Sequence, residues 1–323
     1  KAATYIYTKG GYCILEIPYG IYRVGQQRIV KGDHHTRHIG GSIFHLINCQ
    51  QVTIRSSDKS PSIIRFKDDF YFGTFDEEGH IWQHAMPYTS TENLSEPGHL
   101  FFFEHCTQIQ LEQFILDGNF IKGHVRLGGG FGDQGWQIYH NAVSISGCHS
   151  VQLDKLDIRD FGLDGIYIPD GTKIDISDCH IARCGRQGIS WLGGEHLNVD
   201  HTTIEHIGQG LISSYPSAGI DIEPSETGCR FGQFSFLRII DCAGECLVSD
   251  LSRNSCENMR FEHCTLSNFD HWSIWVKNKD FQFHNCTITG CVVNACSANN
   301  WSESTRFIHC RFLECSDHRT GYY

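Results

Sequence analysis

Residues 165–184 read Gly165-Ile166-Tyr167-Ile168-Pro169-Asp170-Gly171-Thr172-Lys173-Ile174-Asp175-Ile176-Ser177-Asp178-Cys179-His180-Ile181-Ala182-Arg183-Cys184, and they divide into three short runs. Ile166 and Ile168 flank Tyr167, Ile174 and Ile176 flank Asp175, and a third apolar stretch centres on Ile181. Period-two alternation of β-branched residues marks half-buried strands. The unit recurs in both directions. Apolar-x-apolar triplets begin at Val143, Ile166, Ile189, Ile220, Leu247, Ile274 and Val293, with spacings of 23, 23, 31, 27, 27 and 19 residues. Such a period is one coil of a β-solenoid, the longer values being loops inserted at a turn. A leucine-rich repeat has a similar period, but its Leu-rich consensus and Asn are missing. The fold expected is all-β, a right-handed parallel β-helix.

In this register Leu156, Cys179, Thr202, Leu237, Cys264, Cys286 and Cys310 share one column. Phe161, Cys184, Ile207, Cys242, Phe269, Cys291 and Cys315 share another. Positions that accept Leu, Phe and Ile in neighbouring coils face inward, where a thiol acts as a small hydrophobe. The sixteen cysteines therefore read as interior ladders rather than a disulfide framework. Stacked pairs such as Cys264 and Cys286, roughly 4.8 Å apart, are close enough for a disulfide but need none. The Cys-x4-Cys spacings are one residue longer than a zinc knuckle, and inward alternation already accounts for them.

The net charge of −11, without a basic cluster, would repel a phosphate backbone, so nucleic acid is not an expected partner. No apolar run approaches the roughly 20 residues that cross a bilayer. The first residues, Lys1-Ala2-Ala3-Thr4, have neither an initiator Met nor a signal-peptide core, as in an excised or processed start.

The coil continues upstream through residues 44–54 and 101–114, interrupted by segments 68–98 and 118–140, which are rich in Gly, aromatic and acidic residues. A further insertion covers 208–217. Long loops in a compact fold are usually functional, and these enter at one corner, where they would overhang the first strand of each coil. The expected organisation is one domain, residues 1–323, with 1–40 as cap and first coil and 41–323 as coils.

Residues 2–8, Gly10-Gly11 and Ile14-Leu15-Glu16-Ile17-Pro18-Tyr19-Gly20-Ile21-Tyr22-Arg23 resemble the opening of pectate-lyase-like β-helix proteins, the superfamily of polygalacturonases and phage tailspikes. Together with Gly165-Ile166-Tyr167-Ile168 and Gly219-Ile220-Asp221-Ile222-Glu223-Pro224, the resemblance spans nearly the whole chain. It implies a short helix capping the solenoid, a Pro-x-Gly-x-Tyr turn starting the first coil, and a carbohydrate polymer as ligand. It also implies an extracellular or secreted setting, with the periplasm or a virion surface as variants. Such a superfold specifies chemistry poorly. The chain has no Asn-Thr-Asp, paired-Asp, Gly-His-Gly and Arg-Ile-Lys set like a polygalacturonase, and no Arg-x-Pro-x-x-Arg like a pectate lyase.

Alternation turns Asp221 and Glu223 outward if Ile220 and Ile222 face in. Stacked coils then give two exposed columns: Phe102, Ser144, Tyr167, Ser190, Asp221, Val248, Trp275, Asn294; and Glu104, Ser146, Pro169, Leu192, Glu223, Asp250, Lys277, Cys296. Asp221, Glu223 and Asp250 are the candidate catalytic carboxylates, Lys277 a candidate uronate ligand, and Tyr167 and Trp275 platforms for sugar rings. Two residues along a strand span about 6.6 Å and adjacent coils about 4.8 Å, so Asp221 with Glu223 suits inverting and Glu223 with Asp250 retaining hydrolysis. Glu223, neighbour to both, is the first choice of proton donor. Asp164 and Arg186, just before their strands, are candidate groove residues, although Asp-Gly and Arg-Gln-Gly are also ordinary turn chemistry. A solubilising acidic surface is the plain alternative for any one of these carboxylates.

Three functions are weighed, of which the first is the expected one and the others are its alternatives. The first is a glycoside hydrolase needing no cofactor. The second is a polysaccharide lyase or epimerase in which Asp221, Glu223 and Asp250 hold Ca²⁺ against a uronate and Lys277 abstracts its α proton. The third is a non-catalytic adhesin or tailspike shaft, as a monomer or a homotrimer. Trp191 reads as core, His206 as a lesser candidate proton donor, and Gly128-Gly129-Gly130 as no phosphate cradle.

Overall fold

The computed structural model describes residues 2–32, 35–82, 91, 93–132, 135–250 and 254–314, without the side chains of 2, 3 and 269–271. Three parallel strands make each coil, and each pairs with its counterpart in the next coil. First strands stack in the order Phe44, Phe101, Val143, Ile166, Ile189, Ile220, Leu247, Ile274, as the triplet spacing predicts. The chain is a right-handed parallel β-helix.

Two corrections apply to the register. Ile274 pairs with Val292 rather than Val293, and a bulge then restores Trp275 to Asn294. Ser146 pairs with Asp170 rather than Pro169, again at a bulge. Each inserts one residue that periodicity alone does not reveal.

Inward residues form continuous stacks. Phe234, Phe261, Phe283 and Phe307 lie ring on ring, with centroids 4.4, 4.9 and 4.9 Å apart. Cys179, Cys264 and Cys286 are buried and Cys310 half-buried, with free thiols. A second thiol ladder, Cys49, Cys106 and Cys148, lines the amino-terminal coils. Trp191 is fully buried and donates Nε1–H to the Gly193 carbonyl, 2.8 Å. The ladder positions Phe269 and Cys315 lie outside the described side chains.

Many histidines have a backbone role. Left-handed residues stand at the corners immediately before ladder positions: His105 (φ 51°) before Cys106, His201 (φ 45°) before Thr202, His263 (φ 54°) before Cys264 and His309 (φ 54°) before Cys310. Asn, Asp and His tolerate this region better than most residues. His206 (φ 56°) is one of these corners, its Nδ1 3.0 Å from Asp241 Oδ2.

At the amino end, helix Ala2–Thr8 seats Ile6 over the open interior, and Tyr12–Ile17 with Ile21–Val24 build the first coil. An antiparallel hairpin, Gln27–Lys31 with Thr36–Gly40, follows; the sequence reading did not anticipate it.

Loops 68–98, 118–140 and 208–217 all leave a third strand and return to a first strand. The first two are zipped together by parallel strands Phe70–Thr74 and Val125–Leu127. Their backbones cross so closely that a Cβ on Gly129 would fall 1.8 Å from the Trp82 carbonyl oxygen. That crossing explains the Gly128-Gly129-Gly130 run. Residues 83–90, 92, 133 and 134 of these loops lie outside the described residues.

Candidate active site

The glycine before three of the triplets shapes the site. A Cβ at Gly165 would lie 2.6 Å from Ile181 Cγ2, at Gly188 2.5 Å from Ile204 Cγ2, and at Gly219 2.3 Å from Ile239 Cγ2. These glycines face inward, directly before an inward Ile. Two consecutive interior positions break the alternation and return the preceding residue to the outer face. Asp164 therefore pairs with Gln187, Gln187 with Ala218, and Glu245 occupies the same place one coil on, where Cys246 replaces the glycine.

Beside this column runs the predicted one, Tyr167, Ser190, Asp221, Val248, Trp275, in the expected register. Together they floor a cleft of about 320 Å³ that contains Asp221, Glu223, Glu245 and Asp250, with Arg186, Gln187, Trp272 and Trp275. Gln137 and Tyr215, from loops 118–140 and 208–217, form its wall. Gln137 Nε2 donates to the Tyr215 carbonyl (3.1 Å), and the Trp136 N–H to Ser214 Oγ (2.9 Å), which ties the two loops together.

The expectation that Asp221 and Glu223 are both exposed holds only for Glu223. Asp221 is 4% exposed, because loop 208–217 enters just before it and the Gln187 Nε2–H of the preceding coil bonds its Oδ2. Burial pushes the Asp221 carboxyl well above the usual range, and the charge of Glu223 pushes the same way against the pull of Arg186. Asp221, two residues before the Glu223 expected as proton donor, is therefore a carboxyl of the cleft suited to hold a proton.

Asp164 and Arg186 are a pair rather than loose turn residues. Asp164 is fully buried, and its carboxylate receives Arg186 through Nε (2.8 Å to Oδ1) and Nη2. Burial pushes Asp164 up and the guanidinium opposes it, while the carboxylate holds Arg186 firmly charged. Arg186 Nη1 also donates to Gln137 Oε1 (2.9 Å), and its guanidinium lies 5.8 Å from the Tyr167 ring centre.

Lys277 does not stand open to a uronate. Its Nζ is 3.0 Å from Asp250 Oδ1 and 4.8 Å from the Trp275 ring centre. Among the described residues no group of three or more His, Cys, Asp or Glu side chains is arranged to hold a metal ion. Asp221 turns to Gln187 and Asp250 to Lys277 instead.

Three polar atoms of the cleft are buried without a protein partner among the described residues: Gln187 Oε1, Trp275 Nε1 and, in the adjoining cavity, Asn141 Nδ2. A buried unsatisfied group costs about 1–3 kcal/mol, so these atoms are open to a bond from a ligand or a water. A larger cavity of about 500 Å³ lies between the amino-terminal hairpin and Phe66. No unpartnered buried polar atom lines it among the described residues, and its Asp68 is engaged by Asn119 and His124. The carboxylate cleft is the candidate site on chemistry, not on size.

Sequence reasoning missed Glu245, Gln187, Gln137, Tyr215 and Trp272. Strict alternation from Leu247 points Glu245 inward. The available signal was the Gly before the triplets at Ile166, Ile189 and Ile220, which flips that parity in the neighbouring coils.

The family described as right handed beta helix region matches residues 134–312. The uncharacterized protein YclG of Bacillus subtilis is 36% identical over 92 residues, 25% of this chain and 16% of that protein. Among solved structures, pre-mature gene product 12 of bacteriophage phi29 is similar over 88% of this chain and 34% of its own (15% identity, TM-score 0.40). The family 28 exopolygalacturonase of Yersinia enterocolitica is similar over 96% of this chain and 70% of its own (12% identity, TM-score 0.41). The chain thus spans well under two thirds of YclG and of the phage protein.

Proposed function

The chain belongs to the right-handed β-helix family, and from that premise we propose that its first-strand face binds an extended carbohydrate polymer and hydrolyses it, with Asp221 as proton donor. The observation that carries this reading is a buried carboxyl with a raised pKa on the floor of a cleft that also holds Glu223, Glu245 and Asp250. Hydrolysis of a glycoside needs one protonated and one ionised carboxyl group, and unequal environments separate the two roles.

In the proposed reaction the Asp221 proton passes to the glycosidic oxygen as the C1–O bond breaks. Glu223, two residues along the chain and exposed, takes a proton from the water whose oxygen bonds C1. Glu223 follows directly on the strand Ala218–Ile222 that holds Asp221, and a two-residue separation of about 6.6 Å leaves room for that water and inverts the anomeric centre. Asp250, charge-paired with Lys277, adds negative potential beside the developing oxocarbenium ion. Trp275, Trp272 and Tyr215 offer apolar faces to sugar rings. A polymer substrate of this kind fits a protein working outside the cytoplasm; no helix of the described residues is long and apolar enough to cross a membrane.

The test is incubation with a polysaccharide panel, reading new reducing ends and the ultraviolet absorbance of unsaturated uronates. Reducing ends without that absorbance, lowered about 100-fold or more in both Asp221→Asn and Glu223→Gln, are expected. Undiminished activity in both variants would leave a glycan-binding protein as the better account of the cleft.

A further inference from the structure

The carboxylate cleft continues past Arg186. It shares Arg186 and Gln137 with a second cavity of about 380 Å³, which shares Tyr139 and Tyr167 with a third, also about 380 Å³. The run follows the first-strand face from Trp275 back to Phe102, six strand spacings or roughly 29 Å. That is room for several sugar residues.

Two buried amides along it each keep one atom unpaired. Asn141 is fully buried; its Oδ1 accepts from the Asp164 N–H (3.0 Å), which fixes the amide's orientation and leaves Nδ2 without a protein partner. Gln187 is 2% exposed; one amide atom is bound to Asp221 and the other, Oε1, has no partner. With Nε2 given to Asp221, Oε1 is the amide atom left to accept from a ligand.

We propose that this run of cavities accepts an uncharged stretch of polysaccharide, the Asn141 and Gln187 amides each bonding a hydroxyl of a neutral sugar residue. The proposal rests on the carbohydrate reading of the cleft, though not on cleavage. Asn141 asks for an acceptor and Gln187 for a donor, and a hydroxyl is both, whereas a uronate carboxylate only accepts. Charge points the same way. Four carboxyl groups line the cleft, Arg186 is matched by Asp164, and Lys277 by Asp250. His99, in the third cavity, is uncharged at neutral pH, because burial lowers its pKa to about 4. A uronate there would meet repulsion with each of these cations already engaged. Tyr139, 56% exposed on the shared edge of two cavities, supplies an apolar platform.

The test is affinity electrophoresis in native gels cast with neutral polymers (xyloglucan, galactomannan, dextran) or anionic ones (polygalacturonate, alginate), at an ionic strength that screens the net charge. Wild-type protein should be retarded by at least one neutral polymer and by neither anionic one. Tyr139→Ala, a surface change that leaves folding intact, should weaken that retardation about tenfold, some 1.4 kcal/mol. Asn141→Asp, which swaps donor for acceptor, should weaken it as well. Retardation in anionic gels alone, in no gel, or undiminished by Tyr139→Ala would overturn the proposal. Reducing-end release is read separately: neutral binding without cleavage removes only the hydrolase reading, and cleavage confined to polygalacturonate removes only this one.

Discussion

Replacing Arg186 by Met leaves the Asp164 carboxylate fully buried without its countercharge. Breaking a buried pair from one side costs about 3–5 kcal/mol, since the stranded charge keeps its desolvation penalty. If the chain unfolds as a unit, an unfolding entropy of about 2.1 cal/mol/K per residue over 323 residues amounts to roughly 0.7 kcal/mol/K. The melting temperature should then fall by about 4–7 °C. Adding Asp164→Leu removes the stranded charge, and the double variant should regain most of that loss. The single variant should also become pH-sensitive. Without the guanidinium the folded-state pKa of Asp164 lies further above its unfolded value, so the folded state holds the extra proton and stability declines as pH rises between the two. Circular-dichroism melts and urea midpoints over a pH series measure all three effects. A single variant costing under about 1 kcal/mol, or a double variant as unstable as the single, would refute the buried-pair reasoning.

Gly219→Ala should destabilise by about 1–3 kcal/mol through overpacking against Ile239, measured by the same melts; a neutral result would undo the inward-glycine explanation of the site. Thiol titration of the denatured, unreduced chain should find most of the sixteen cysteines free, while native protein reacts slowly because burial pushes groups such as Cys179 up to about 12. A majority in disulfides would contradict the ladders. Activity on an identified glycan should decline as pH rises through the raised pKa of Asp221, which also costs stability over the same rise, because the folded state holds that proton longer than the unfolded one. An acidic limb alone would place the proton donor elsewhere.

The fold was legible because a solenoid writes the same unit many times. Seven triplets at spacings of 19 to 31 residues leave little freedom in pairing, and column neighbours such as Tyr167, Ser190, Asp221, Val248 and Trp275 could be aligned by subtraction. What local spacing cannot carry is a bulge, as at Ser146 or Ile274, or a parity break, as at Gly165, Gly188 and Gly219. The site suffered most from this. Asp221 was placed in the right column, but its burial depends on a loop ten residues long and on Gln187 from another coil. Glu245 was not singled out at all, because the alternation that locates Leu247 points it inward. Lys277 and Asp250 were correctly neighbours, yet their mutual bond, not their proximity, decides what either has left for a ligand.

The account turns on Asp221 keeping its proton above the ordinary range of aspartate, and that state can be read without any substrate. Infrared difference spectra between wild-type protein and Asp221→Asn, taken across a pH series, isolate the Asp221 carboxyl. A protonated-acid C=O band that persists above the ordinary range of aspartate, giving way to a carboxylate band only at higher pH, is the predicted result. A carboxylate band from Asp221 already present at neutral pH, unchanged down to the ordinary range of aspartate, would contradict it.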